Sequence, residues 1–360
     1  MRIVTKGFLS LTALSFCVGT FSSVCLAAPT ISATKLSSDA QSGETQILIS
    51  GSGFTDKKHS LPLYFFDFEG DRLTQNPKYS YVSTPVTTNG LLTSETTPTG
   101  SGKSMRWRIQ QDYRALPIPE IDFNSDRLYV YFHRRYNFDI GDSSTWGTNG
   151  FNLKTNRLWA DTKNNIYIGY QGKEGSSSGR IYPEYTAEGG AVWTGSRLPQ
   201  VADQWLQEEI IYETGDLGIK NGRFDLVRNG TSAHDQLFRM RTSSYPDPYD
   251  QLVFDQITDQ TPADKYLYIY FDNIYIDDSF HRVYVSDAPV YSDAKFRLIQ
   301  VPTEWNDTSI TVTFNPGSYS PSNLYLYVVD GNGDANAYGV EICETDCPSP
   351  PNPPKSFDLQ

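Results

Sequence analysis

Stretches in which apolar and polar residues alternate recur along the chain every 10 to 20 residues. They are "TQILISGSGF", "SMRWRIQ", "RLYVYFHRRYNF", "NIYIGYQG", "QWLQEEIIYE", "GRFDLVRNG", "KYLYIYFDNIYID", "SITVTF" and "LYLYVVD", and clusters of Gly, Asn, Asp and Pro separate them. A period of two is that of strands whose side chains point alternately to two faces, and short strands punctuated by turns predict antiparallel sandwiches. The predicted fold class is therefore all-β. In "LYVYFHRRY" Leu128, Val130 and Phe132 take one face and Tyr129, Tyr131, His133 and Arg135 the other. In "SMRWRIQ" Met105, Trp107 and Ile109 oppose Arg106, Arg108 and Gln110. In "YLYIYFD" Leu267, Ile269 and Phe271 oppose Tyr266, Tyr268, Tyr270 and Asp272.

The first 27 residues break the pattern. Arg2 and Lys6 precede an apolar run that ends in Cys25-Leu26-Ala27, the layout of a cleaved secretory signal, and the run's Ser, Thr and Gly argue against a retained anchor. The expected destination is secreted, cell surface or periplasm, with no membrane span in the mature chain. Two of the four cysteines leave with the signal, and Cys343 and Cys347 in "CETDC" are expected to close a small disulfide loop in an oxidising compartment. Loss of Arg2 and Lys6 takes the formal charge from −12 to −14. Such an acidic surface disfavours nucleic acid, whose phosphates need clustered Lys and Arg. The 24 Tyr, 19 Phe and 6 Trp favour β-structure.

Two resemblances refine the organisation. "PTISATKLSSDAQSGETQILISGSGF" resembles the opening strands of an IPT/TIG domain, an immunoglobulin-like sandwich, and "IQVPTEWNDTSITVTF" with "LYLYVVDGNGDANAYGVEI" resembles its second half. Neither half has enough strands to bury both of its faces. The expectation is one IPT/TIG-like domain made of residues 28–58 and 281–342, interrupted by an insertion. The inserted block, 59–280, resembles a concanavalin A-like jelly roll in "PLYFFDFEGD", in "QWLQEEIIYE" led by Trp205, in the hairpin closed by Asn229-Gly230, and in the returning strand "YLYIYFDNIYID". Residues 343–360 form a proline-rich tail.

The jelly-roll resemblance implies a concave sheet face that binds sugar chains. The expected substrate-binding set is Arg106, Arg108, Gln110, Tyr129, Tyr131, His133, Arg135, Tyr266, Tyr268 and Tyr270. Tyr rings stack on the C–H faces of pyranoses while Arg and Gln bond hydroxyls or carboxylates, which suffices for a lectin-like protein that recognises an extracellular polysaccharide. The alternative is a lyase that eliminates beside a uronate carboxylate, with His133, Tyr268 or Tyr270 as the proton-transferring group. The site composition is similar to that of alginate lyases of this superfamily, though their "QIH" and "YFKAG" strands are absent. A glycoside hydrolase is disfavoured, because Glu208 and Glu209 point to opposite faces of one strand. A third class, structural or adhesive contact with a protein partner, rests on the IPT/TIG-like module. "DGNGDANAYGVE" places Asp330, Asn332, Asp334 and Glu341 at calcium-loop positions, yet Ala335 stands where that loop needs Gly, so a β-turn explains the same letters. Calcium elsewhere in the jelly roll is compatible with the resemblance, but no ligand cluster identifies a metal site.

Overall fold

The computed structural model describes residues 28–39, 42–69, 90–100, 102–109, 121–140, 151–160, 164–173, 176–184, 192–195, 201–254, 257–258, 266–318 and 324–342. The signal segment, Gln110, Cys343, Cys347 and the tail lie outside the described residues. Strands β1 (Thr30–Ser38) and β2 (Thr45–Ser52) come first. They are followed by β3 (Tyr64–Phe66), β4 (Gly90–Thr93), β5 (Ser104–Arg108), β6 (Ile121–Asp122), β7 (Arg127–Tyr136), β8 (Phe151–Trp159), β9 (Asn165–Lys173), β10 (Ser176–Glu184) and β11 (Val192–Gly195). Next come β12 (Leu206–Glu213), β13 (Gly222–Arg228), β14 (Thr231–Phe238), β15 (Gln251–Val253), β16 (Ile257–Thr258) and β17 (Tyr268–Asp277). The last are β18 (Arg282–Ser286), β19 (Leu298–Trp305), β20 (Ser309–Thr313), β21 (Tyr325–Val329) and β22 (Val340–Glu341). Among the described residues the only helical element is a single 3-10 turn, Tyr291–Asp293, so the fold is all-β.

The strands form three antiparallel sheets. A middle sheet runs β14-β13-β12-β7-β17-β5-β4, with β3 also on β17, and an outer sheet runs β11-β10-β9-β8-β15-β6, with β16 on β8. Their facing sides make a jelly-roll-like sandwich. Leu128, Val130 and Phe132 of β7 and Ile269, Phe271, Ile274 and Ile276 of β17 share one core with Leu153, Leu158, Ile166, Ile168 and Ile181 of the outer sheet. Each such side chain, fully buried, contributes roughly 1.5–3 kcal/mol.

The third, terminal sheet runs β1-β2-β20-β19-β18-β21-β22 and joins both ends of the described chain. Ile47 pairs with Val312 and Ile49 with Ile310, and these pack with Val283, Val285, Leu326 and Val328 in a second core. A third core lies between this sheet and the middle sheet. It gathers Tyr129, Tyr131, Ile211 and Tyr275 from the middle sheet with Tyr284, Ile299, Tyr327 and Val329 from the terminal sheet. Strands β7 and β12 are consequently buried on both faces for most of their length, the condition more usual for parallel strands.

Candidate functional site

The sequence-predicted groove residues, apart from Gln110 outside the described residues, do share one face of the middle sheet. Register places Arg106 opposite Tyr270 and Tyr270 opposite Arg135 in one row, and Asp272, His133 and Gln207 in the next. Tyr275, Tyr131 and Glu209 make a third row, and Asp277, Tyr129 and Ile211 a fourth. A bulge at Asn273, whose φ is 48°, keeps Asp272 and Tyr275 on the same side.

The terminal sheet covers most of that face, and this corrects the expected site. Tyr129, Tyr131 and His133 are each 0% exposed. The Tyr131 hydroxyl donates to the Arg297 carbonyl at 2.8 Å, and the Phe296 ring lies 5.4 Å from that of His133. Glu209 accepts from the Tyr284 hydroxyl at 2.7 Å, the Tyr129 hydroxyl at 3.0 Å and Gln207 Nε2 at 2.9 Å. Arg282 Nε donates to the Tyr284 hydroxyl at 2.6 Å, and the Arg297 amide donates to Gln207 Oε1 at 2.6 Å. These polar letters form an interface between sheets rather than a groove floor. Burial pushes His133 down to about 3, so its ring is neutral, and no polymer reaches it to exchange a proton. Tyr270 is also buried, beneath Trp205 and the Arg135 guanidinium.

The uncovered end of the face keeps Arg106, Arg108, Arg135, Tyr266 and Tyr268. Each guanidinium lies over a tyrosine: Arg108 over Tyr266 at 4.2 Å, Arg106 over Tyr268 at 4.7 Å, Arg135 over Tyr270 at 4.8 Å. Arg106 pairs with Glu95 at 3.0 Å and Arg135 with Asp203 at 2.5 Å.

The opposite side of the sandwich carries a set that the alternation did not reveal. On β9, Tyr167, Gly169 and Gln171 point away from the core because Ile166, Ile168 and Tyr170 point into it. On β8 the register slips at Thr155: Lys154 pairs with Gly169, Asn156 with Ile168 and Arg157 with Tyr167. This bulge puts both Lys154 and Arg157 on the outward face, whereas strict alternation would have sent Arg157 inward with Leu153. β10 adds Arg180 opposite Gly169 and Tyr182 opposite Tyr167. The result is three cations around one ring: Lys154 Nζ at 4.9 Å, Arg157 at 5.1 Å and Arg180 at 5.4 Å from the Tyr167 centroid. Arg157 also lies 4.6 Å over Trp159, and Arg180 lies 5.1 Å over Tyr182.

Hydrogen bonds fix this cluster. Arg180 donates to Gln171 Oε1 at 2.6 Å, Asn152 Oδ1 at 2.7 Å and the Tyr167 hydroxyl at 2.9 Å. Arg157, Arg180 and Tyr167 form a floor 2–7% exposed, while Lys154, Tyr182, Glu184, Asn152 and Trp159 are half-buried around it. Burial pushes the Tyr167 hydroxyl up to about 12 although the Arg180 and Arg157 guanidiniums pull it down, so it is a proton donor near neutrality. A positive floor with aromatic walls can hold a carboxylate-bearing ring by forked hydrogen bonds and stacking together.

Two other carboxylate sites are occupied structurally. Glu208 lies inside the sandwich, where burial opposes its charge but Arg134 and Arg228 hold its carboxyl below the ordinary range. Asp330 Oδ1 accepts from the amides of Asn332 at 2.9 Å and Asp334 at 3.0 Å, and the Gly333 amide donates to the Asp330 carbonyl at 3.1 Å. "DGNGDA" is thus a turn that spends its carboxylate on its own backbone.

No protein-family model matches the chain, and no curated protein sequence does. Among solved structures it is similar to an endo-β-1,4-glucuronan lyase from the fungus Trichoderma reesei, with 10% identity, TM-score 0.40, and 61% of this chain and 96% of that one covered. It is similar to a marine alginate lyase from Aplysia kurodai at 13% identity and TM-score 0.37, covering 60% and 98%. A botulinum neurotoxin type G receptor binding domain gives 9% identity and TM-score 0.39, covering 80% of each chain. Likeness at these scores leaves the assignment of a site to this chain's own residues.

Proposed function

We propose that this is a secreted carbohydrate-binding protein whose ligand is a carboxylate-bearing polysaccharide lying along the outward face of β8, β9 and β10. The observation that carries the reading is the convergence of Lys154, Arg157 and Arg180 on the Tyr167 ring. On a chain of formal charge −12, three cations are gathered on one sheet face, where Lys154 has one carboxylate, Glu184, at 3.8 Å. The Arg180 guanidinium, already held by Gln171, Asn152 and Tyr167, loses little further freedom on binding. The accompanying organisation is a concanavalin A-like jelly roll, residues 59–280, set into an IPT/TIG-like domain of residues 28–58 and 281–342; the pairing of β2 with β20 supports it.

The test is binding of polyuronates and neutral glucans by the full chain and by Arg157→Ala and Arg180→Ala. Binding confined to the acidic polymers, weakened at least tenfold by either substitution, is the expected result. Equal binding of neutral polymers, or variants that bind as well as the parent, would reject the reading.

A second reading is a polysaccharide lyase, favoured by the Arg180 hydrogen bond to the Tyr167 hydroxyl. A hydroxyl pushed up to about 12 suits protonation of a leaving oxygen, and leaves abstraction of the proton beside the carboxylate to a group of lower pKa. Binding therefore leads. Ultraviolet absorbance of an unsaturated product, appearing with the parent and lost in Tyr167→Phe, would move the assignment to the lyase.

A further inference from the structure

The other exposed array, at the uncovered end of the middle sheet, is not explained by packing. Arg106 and Arg135 are each balanced by a carboxylate, whereas among the described residues Arg108 makes no ion pair and its buried Nε has no hydrogen-bond partner. What holds Arg108 is the ring of Tyr266, 4.2 Å below it. Tyr266 is itself 61% exposed. Its ring runs parallel to that of Tyr268, centroids 6.4 Å apart and planes 10° from each other, and Arg106 lies over the second ring.

The platform is built on a fixed backbone. Asn137 Nδ2 donates to the Tyr266 carbonyl at 3.1 Å, its Oδ1 accepts from the Tyr268 amide at 2.7 Å, and the Ile109 amide donates to the Leu267 carbonyl at 2.8 Å. A rigid strip that presents one unbalanced guanidinium and two parallel rings is complementary to a sugar ring bearing an anionic oxyacid group. The fork takes the carboxylate or sulfate, and the tyrosine edge or free face takes the C–H surface. An acidic peptide would use the cation but has no flat apolar face for the rings.

We propose that Arg108 and Tyr266, with Tyr268 and Arg106 beside them, form a second binding site for an anionic glycan on the side of the sandwich opposite the Tyr167 cluster. The middle and outer sheets are packed face to face, about 10 Å apart, and their outward sides look in opposite directions. One extended polymer strand cannot lie on both. The protein is therefore bivalent and links two strands, and avidity on a polymer exceeds the affinity of either site alone.

The experiment uses the full chain in two backgrounds, the parent and Arg157→Ala/Arg180→Ala, each with and without Arg108→Ala or Tyr266→Ala. The probes are a polyuronate, a sulfated polysaccharide, a neutral glucan and poly-glutamate. Residual binding of one or both anionic polysaccharides is expected in the Arg157→Ala/Arg180→Ala background, falling about tenfold on adding either second substitution and only in part with Arg108→Lys, which keeps the charge but not the fork. The polyuronate and sulfate arms tell which oxyacid is preferred. The parent should also raise the turbidity of polymer solutions, and Arg108→Ala should abolish this while leaving binding at the other face. Near-ultraviolet circular dichroism checks that the tyrosine environment is intact. The proposal is overturned if Arg108→Ala changes neither residual binding nor turbidity, if the Arg157→Ala/Arg180→Ala protein binds nothing that the parent binds, or if poly-glutamate binds as well as the polysaccharides. Failure of the parent to bind any anionic polymer overturns this site and the Tyr167 site together.

Discussion

At the scale of single residues, surroundings rather than side-chain type decide what the polar letters do. His133 and Asp272 face each other across β7 and β17, and burial drives them in opposite directions: His133 down to about 3, Asp272 up to about 8 with Glu69 and Asp67 adding to it. Both are neutral near pH 7. For Asp272 the folded form binds its proton more tightly than the unfolded chain, whose carboxyl titrates near 3.8, so its contribution is complete below about pH 4 and is lost as pH rises toward 8. For His133 the sign reverses, and its contribution is complete above about pH 6.5 and is lost as pH falls toward 3. Asp272→Asn removes the first of these. At about 1.4 kcal/mol per pKa unit, the parent should lose up to a few kcal/mol more stability than Asp272→Asn between pH 5 and 8. Urea unfolding at the two pH values measures it, and parallel losses in both proteins would show that Asp272 ionises freely in the folded state.

At the scale of elements, alternation identified strands well and assigned faces well wherever a strand was regular. β5, β7 and the first half of β17 place their aliphatic residues in the sandwich core as their periodicity requires. β8 could not be read this way, because the bulge at Thr155 switches the face of everything after it, and Arg157 and Trp159 then fall outward with Lys154. No letter in "FNLKTNRLW" marks that slip, so the Tyr167 cluster was hidden although "NIYIGYQG" showed its half of it. Deleting Thr155 should remove the bulge yet keep Lys154 opposite Gly169 and Arg157 opposite Tyr167, so polyuronate binding should survive within about threefold; a loss of tenfold or more would mean that the face depends on the local twist of the bulge and not on the register alone. The Asn229-Gly230 turn, by contrast, is legible from its letters, and both residues have positive φ, 46° and 61°, in the two-residue hairpin between β13 and β14. A Cβ on Gly230 would stand 2.4 Å from the Ala294 carbonyl oxygen, in the segment leading into β19. Gly230→Ala should therefore cost about 2 kcal/mol or more in thermal or denaturant unfolding, through both the strained φ and the collision.

At the scale of the whole molecule, what covers what is a property of tertiary packing that no single strand announces. Tyr, Arg and His suit a solvated sugar-binding face and a polar interface equally, because each has an apolar body and a hydrogen-bonding tip. Here the tips are consumed by contacts between distant strands, as where Tyr129 and Tyr284 meet at Glu209. The two β-units consequently share a core in which Tyr131 and Tyr275 from one pack with Tyr327 and Val329 from the other. Lys57 adds a buried ion pair to Asp277 at 2.7 Å. Units joined this way should unfold together, so calorimetry of the parent should give one transition with matching calorimetric and van't Hoff enthalpies. Glu209→Ala would leave the Tyr129 and Tyr284 hydroxyls and the Gln207 amide without their common acceptor in a dry interface, at a cost of roughly 1–3 kcal/mol for each group left unpaired. The substitution should lower the transition temperature and separate the terminal sheet from the sandwich as a second, earlier transition. Two well-separated transitions already present in the parent would show instead that the tyrosine-rich layer is a contact between independently stable units, with the two binding faces still held opposed by the core of the sandwich itself.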